Sequence, residues 1–176
     1  MPELLFIAGS LRSASSSRAT VRALVARVEQ TVTCEIAEIG GLPLYNSDIT
    51  DNAEVAALNA AIGRADGLVF VTPEYNYSVP GVLKNAIDWA SRPAMNSVFK
   101  DKPCFVMSVS GGALGGVRAQ GHLKYALNGM LAKVFPCPEI VIPSANDKVK
   151  DGLLVDEAIL NFAEEKLRAF IDTLGS

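Results

Sequence analysis

Gly67-Leu68-Val69-Phe70-Val71-Thr72-Pro73-Glu74-Tyr75-Asn76-Tyr77-Ser78-Val79-Pro80-Gly81 decides how this chain is built. Its first part, Gly67–Thr72, is a continuous apolar run. Its last residue leads into Val82–Ser91, where Val82, Leu83, Ala86 and Ile87 share one helical face. An unbroken apolar strand feeding a helix is the unit of a parallel sheet covered on both faces. The handover then falls at the carboxyl edge of the sheet, where such folds bind ligands. Pro73 and Pro80 stiffen the turn and remove backbone donors at fixed points. The N–H groups that remain can be aimed at a planar ligand with polar edges. A stiffened turn into a helix start at Ser78 or Pro80 accounts for the prolines. It does not account for a Glu, an Asn and two Tyr in the same nine residues, so Pro73–Gly81 reads as a ligand clamp.

The same alternation runs through the rest of the chain. Strand patterns fall at Leu4–Ala8, Cys34–Ile39, Cys104–Met107 and Glu139–Ile142. Helical spacing appears over Arg18–Glu29 through Val21, Leu24, Val25 and Val28. It recurs through Val55, Leu58, Ala61 and Ile62, with Asp51 or Asn52 as cap, and again through Leu123, Leu127 and Leu131. A closing helix over Asp156–Leu174 would turn Ile159, Phe162, Leu167, Phe170 and Ile171 inward. Five strands in βα alternation, joined by right-handed crossovers, give a flavodoxin-like α/β three-layer sandwich. Its five-stranded parallel sheet would have the order 2-1-3-4-5, with helices on both faces. Residues 1–176 read as one domain. Two turn-rich connections, Gly40–Thr50 and Pro143–Leu154, are expected to edge the site or an interface.

Composition narrows the function. The net charge is −3 and no Lys/Arg run occurs, so nucleic acid is not an expected partner. No segment approaches the roughly 18–20 apolar residues of a membrane span. The amino end enters a strand without a basic leader, and a cytoplasmic protein is expected. Cys34, Cys104 and Cys137 form no Cys-x-x-Cys pair, which argues against a zinc site or redox dithiol and for small buried hydrophobes. Lys84 and Asp88 have the spacing of a helix-surface pair, and Trp89 is read as core or interface.

Two further loops leave strand ends at the same edge. Gly9-Ser10-Leu11-Arg12-Ser13-Ala14-Ser15-Ser16-Ser17-Arg18 puts hydroxyls, arginines and a helix N-terminus together, a combination suited to phosphate. A plain serine cap explains part of it, but not two arginines flanking the serines. Neither Gly-x-Gly-x-x-Gly nor Gly-Lys-Ser/Thr occurs, which disfavours a dinucleotide fingerprint and a P-loop. Ser108-Val109-Ser110-Gly111-Gly112-Ala113-Leu114-Gly115-Gly116-Val117-Arg118 carries four glycines, and its backbone can approach a flat ligand closely. His122 is the only histidine, Gly-x-Ser-x-Gly is absent, and no residue set has metal-ligand spacing. Phosphate donors with planar walls and no nucleophile–base pair suit a cofactor that carries the chemistry itself.

The three motifs together resemble the NAD(P)H-dependent FMN reductase family, which includes quinone, azo-dye and chromate reductases. They are Gly9-Ser10-Leu11-Arg12 with Ser15, Ser17 and Arg18, then Pro73–Trp89, then Ser110–Arg118. The resemblance implies non-covalent FMN, with NADPH or NADH as co-substrate. It assigns Ser10, Arg12, Ser15 and Ser17 to the FMN phosphate. Pro73, Glu74, Tyr75, Asn76 and Ser78 would line the isoalloxazine, mainly through backbone groups. Ser110, Gly111, Gly112 and Gly115 would flank the other side of the ring and the ribityl chain. Ser17 stands where many family members have Asn, so one phosphate contact would be weaker or water-mediated. No side chain is implied as a catalytic group, and no metal. A homodimer or homotetramer is implied, with the C-terminal helix and Ala90–Phe99 as candidate interface segments.

The resulting expectation is a ping-pong oxidoreductase in which NAD(P)H and a small-molecule acceptor use one flavin face in turn. Acceptors would be quinones, azo dyes, chromate or free flavin. Two other readings stand beside it: a flavodoxin-type electron carrier that does not turn over NAD(P)H, and a non-flavin binding module on the same fold. Arg12 in the first loop argues against the carrier.

Overall fold

A computed structural model describes residues 1–174. The strands β1 (Glu3–Ala8), β2 (Thr33–Ile36), β3 (Gly67–Pro73) and β4 (Pro103–Val109) alternate with the helices α1 (Ser16–Val28), α2 (Ala53–Arg64) and α3 (Gly81–Ala90). After α4 (Val117–Gly129) come the short strands β5 (Lys133–Val134) and β6 (Val141–Ile142). A 3-10 turn (Ala145–Lys148), the strands β7 (Val149–Lys150) and β8 (Leu153–Leu154), and α5 (Glu157–Asp172) complete the order. The main sheet is parallel in the order β2-β1-β3-β4-β5, with β6 also on β4. This is the flavodoxin-like arrangement, with β3 at the centre and all of its residues buried.

Alternation along the strands divides the core in two. Leu4, Phe6, Val69, Val71, Phe105 and Met107 pack with α1 and α5, while Leu5, Ile7, Leu68, Phe70, Cys104 and Val106 pack with α2, α3 and α4. Three helix starts carry side-chain caps: Ser15 accepts from Arg18 N, Asn52 from Val55 N, and Asp156 from Ile159 N. Between the two candidates before α2, Asn52 is the cap. Lys84 pairs with Asp88 at 2.7 Å. Trp89 is buried and donates from Nε1 to Pro43 O at 2.8 Å. Cys104 is buried, Cys34 and Cys137 are partly so, and all three are free thiols.

Three sequence readings need correction. The fifth strand is not one run over Glu139–Ile142. Lys133–Val134 pairs with the start of β4 and Val141–Ile142 with its end. Pro136 and Pro138 lie between and have no N–H to give a ladder. Leu131 is not in α4, which ends at Gly129; it has φ 64° and is exposed. In α5 the buried stripe is Leu160, Ala163, Leu167 and Phe170, spaced by three and four residues. Phe162 therefore faces outward, where Lys166 Nζ lies 5.3 Å from its ring centre. Ile159 and Ile171 are only partly buried.

The Pro143–Leu154 connection is more ordered than a loop. β7 and β8 form an antiparallel hairpin around Asp151 and Gly152, both with positive φ, as a two-residue turn of the Asp-Gly kind requires. Arg22 holds it to α1 by donating to Gly152 O at 2.9 and 2.6 Å. Among the described residues no helix is long and apolar enough to cross a membrane.

Candidate cofactor cleft

The connections after β1, β3 and β4 meet in one cleft at the carboxyl edge of the sheet. Its walls are Ser10, Arg12, Ser15, Ser16 and Ser17; Pro73, Glu74 and Tyr75; Val109, Ser110 and Gly111; and Asn146. A larger cavity of about 400 Å³ lies apart, among Tyr45, Asn52, Asn59, Trp89 and Arg92. It contains none of the three loops, so the chemistry singles out the smaller cleft.

The first wall is organised by hydroxyls. Ser15 Oγ and Ser17 Oγ are buried and 2.7 Å apart. Ser15 also caps α1, so the N-terminus of a 13-residue helix opens at the cleft. Ser10 Oγ lies 3.0 Å from Tyr75 OH and joins the first loop to the second. The two flanking arginines divide their tasks. Arg18 pairs with Glu38 at 3.3 Å, away from the cleft, whereas Arg12 is exposed in the cleft wall. No described residue forms an ion pair with Arg12, so it is the cation available to an anion here.

The second wall is a tight turn. Tyr75 and Ser78 exchange two backbone hydrogen bonds of 3.1 Å across Asn76 and Tyr77. Asn76 has φ 48° and Tyr77 φ 67°, both left-handed without being glycine. That conformation costs roughly 1–2 kcal/mol per residue, so the surroundings must hold it. Asn76 and Ser78 lie outside the cleft lining; Ser78 Oγ is 3.0 Å from His122 Nδ1 on α4.

The third wall leans on the segment after β6. Ser110 N donates to Ile142 O at 3.0 Å, and Ala145 N donates to Ser110 O at 2.9 Å. A Cβ at Gly111 would stand 2.8 Å from Asn146 Nδ2. Gly112 and Gly115 are not among the residues that line the cleft. Gly112 O accepts from Ser144 N at 3.1 Å. At Gly115, φ is +60° and a Cβ would meet Val141 Cβ at 2.8 Å. Sequence reasoning missed Ser16, Val109 and Asn146. Ser16 sat inside a serine run already singled out, and Val109 inside a quoted loop. Asn146 gave no signal beyond a turn-rich connection. Ser16 Oγ donates to Asn146 Oδ1 at 3.2 Å, which closes the cleft between α1 and the 3-10 turn.

Hydroxyls, a helix N-terminus and an unpaired arginine at one end, with closely approaching backbone at the other, fit a phosphorylated planar cofactor such as FMN. Fold and cleft together define an α/β protein of the flavodoxin-like class with a serine- and arginine-lined cleft at the carboxyl edge of its sheet. The chain belongs to the NADPH-dependent FMN reductase family, whose model matches residues 2–147. It is 39% identical over 171 residues to an NAD(P)H-dependent FMN reductase of Pseudomonas aeruginosa, covering 95% of this chain and 92% of that one. It is also 39% identical over 173 residues to a quinone reductase of Pseudomonas putida, covering 97% and 91%. Among solved structures, FerB, a flavoenzyme NAD(P)H:(acceptor) oxidoreductase from Paracoccus denitrificans, superposes with a TM-score of 0.86 at 32% identity, covering 99% of this chain and 98% of that one. The chain is thus an oxidoreductase of a family that works with FMN and a nicotinamide nucleotide.

Proposed function

We propose that this protein binds FMN in the described cleft and reduces quinones with NAD(P)H in a ping-pong sequence. The observation that carries the cofactor placement is Arg12, without an ion-pair partner among the described residues and in the same cleft wall as the serines at the start of α1. Bound FMN supplies the chemistry the side chains lack, accepting hydride from NAD(P)H and passing it to an acceptor. Ser10, Arg12, Ser15, Ser16 and Ser17 hold the phosphate end, with the hydroxyls and the α1 N-terminus as donors. Pro73, Glu74 and Tyr75 present backbone to the ring, with Asn76 in the turn behind them, and Ser110 and Gly111 close on it from the other side. Ser78, Gly112 and Gly115 shape these walls. Quinones are preferred as acceptors because the P. putida relative is named for them; azo dyes, chromate and free flavin are further candidates for an open cleft.

Residues 1–176 form one FMN-binding domain in this reading, acting in the cytoplasm as a homodimer or homotetramer. Met95, within the candidate interface segment Ala90–Phe99, is an exposed apolar side chain for such an assembly to cover. The test is the visible spectrum of the purified protein after incubation with FMN, before and after NADPH is added without air. Flavin bands that bleach, and return when a quinone is added, are expected. Bands that do not bleach point to an electron carrier, and no flavin uptake removes the cofactor assignment.

A further inference from the structure

Glu74 stands in the cleft wall, yet its carboxylate is spent elsewhere. Oε2 accepts from Arg118 N at 3.0 Å and from Ala119 N at 3.3 Å, and Oε1 takes Arg118 Nη1 at 3.3 Å. Those amides belong to the first turn of α4, whose own N-cap, Gly116, has no side chain with which to satisfy them. The cap therefore comes from 44 residues away in the chain, and its side chain is 13% exposed. Two more contacts tie the same turn to the same helix. Ser78 Oγ meets His122 Nδ1 at 3.0 Å, and the Arg118 guanidinium lies 4.7 Å from the Tyr77 ring centre. Between these anchors sit the two left-handed residues, Asn76 and Tyr77, a conformation that has to be held from outside.

We infer that Glu74 is a positioning residue: it caps α4 and thereby fixes the Pro73–Ser78 backbone in its ligand-ready shape. This rests on the reading of the cleft as the FMN site. A carboxylate left free in that wall would repel a phosphorylated cofactor. Here Arg118 and the positive end of α4 offset its charge, and the turn keeps its own Tyr75–Ser78 backbone pair. Glutamine at this position keeps an acceptor oxygen for the two amides, whereas alanine removes it.

The test compares the wild type with Glu74→Ala and Glu74→Gln in FMN binding, followed by flavin fluorescence, and in amide exchange at Arg118 and Ala119. Glu74→Ala is expected to weaken FMN binding about tenfold, on the order of a lost helix cap, and to speed exchange at both amides. Glu74→Gln is expected to restore most of both. Should the alanine variant fail to fold, Glu74→Asp, one methylene short of the helix, takes its place with the same expectation. Wild-type FMN affinity in Glu74→Ala, or a glutamine variant as impaired as the alanine one, overturns the inference. A wild type that takes up no FMN overturns the cofactor reading instead; the exchange rates still report whether Glu74 caps α4.

Discussion

Arg12 and Arg18 flank the same serines in sequence, and only their surroundings separate them. Arg18 is neutralised by Glu38, while Arg12 has no acidic partner among the described residues. Replacing Arg12 by alanine should therefore weaken FMN binding by about 1.5–3 kcal/mol, the worth of a hydrogen bond to a charged group, with little change in unfolding temperature. Equilibrium titration with FMN checks this, and an unchanged dissociation constant would remove Arg12 from the phosphate site. Most of the cleft was legible residue by residue, because serines, arginine and prolines at strand ends announce themselves. Asn146 was not. It reaches the cleft through the tertiary path of Ser144 and Ala145, which bond back to Gly112 and Ser110, and nothing local to its own sequence records that path.

At the level of elements, two junctions carry sharp expectations. Gly115 combines a φ of +60° with a Cβ position 2.8 Å from Val141 Cβ and 3.0 Å from Ile142 N. Gly115→Ala adds left-handed strain of roughly 1–2 kcal/mol to a clash with β6 backbone, so urea unfolding should show a loss at least that large. Asp156 caps α5 and pairs with Lys148 at 3.0 Å. The Lys148 ammonium, then the Ile159 N–H, hold its carboxyl below the usual carboxylate range. A lowered value in the folded state means the cap's charged contribution is complete above the unfolded value of about 3.9. It is lost as pH falls through the folded value. Asp156→Ala should cost about 1 kcal/mol at pH 7, and the gap to wild type should narrow in unfolding curves at pH 3. A gap of equal size at both pH values would mean the carboxylate's charge plays no part. Strands β1, β3 and β4 could be read from sequence because burial on both faces leaves continuous apolar runs. The fifth sheet position could not, because Pro136 and Pro138 split its pairing between two dipeptides while the apolar pattern continued past them.

For the molecule as a whole, a sheet covered on both faces encloses Cys104 with its core and leaves Cys34 and Cys137 partly covered. Burial is the first cause at all three cysteines: it pushes the Cys34 thiol up to about 11 and Cys104 up to about 12, and raises Cys137 as well. A raised thiol value leaves less thiolate at neutral pH, and the thiolate is the nucleophile. Cys104 lies within β4, the strand that leads into the glycine-rich wall of the cleft. Its modification would disturb both the core and the site, whereas its protection keeps the two intact together. The folded protein should therefore react slowly with iodoacetamide at pH 7.5, while all three cysteines should label quickly in denaturant; intact mass measures both. NAD(P)H oxidation should survive the native treatment unchanged, because in this reading electrons pass through bound FMN and never through sulfur. Rapid labelling of Cys104 in the native protein would show that the sheet opens far more readily than its packing implies. Loss of activity in step with labelling of one cysteine, with FMN still bound, would bring that thiol into the reaction.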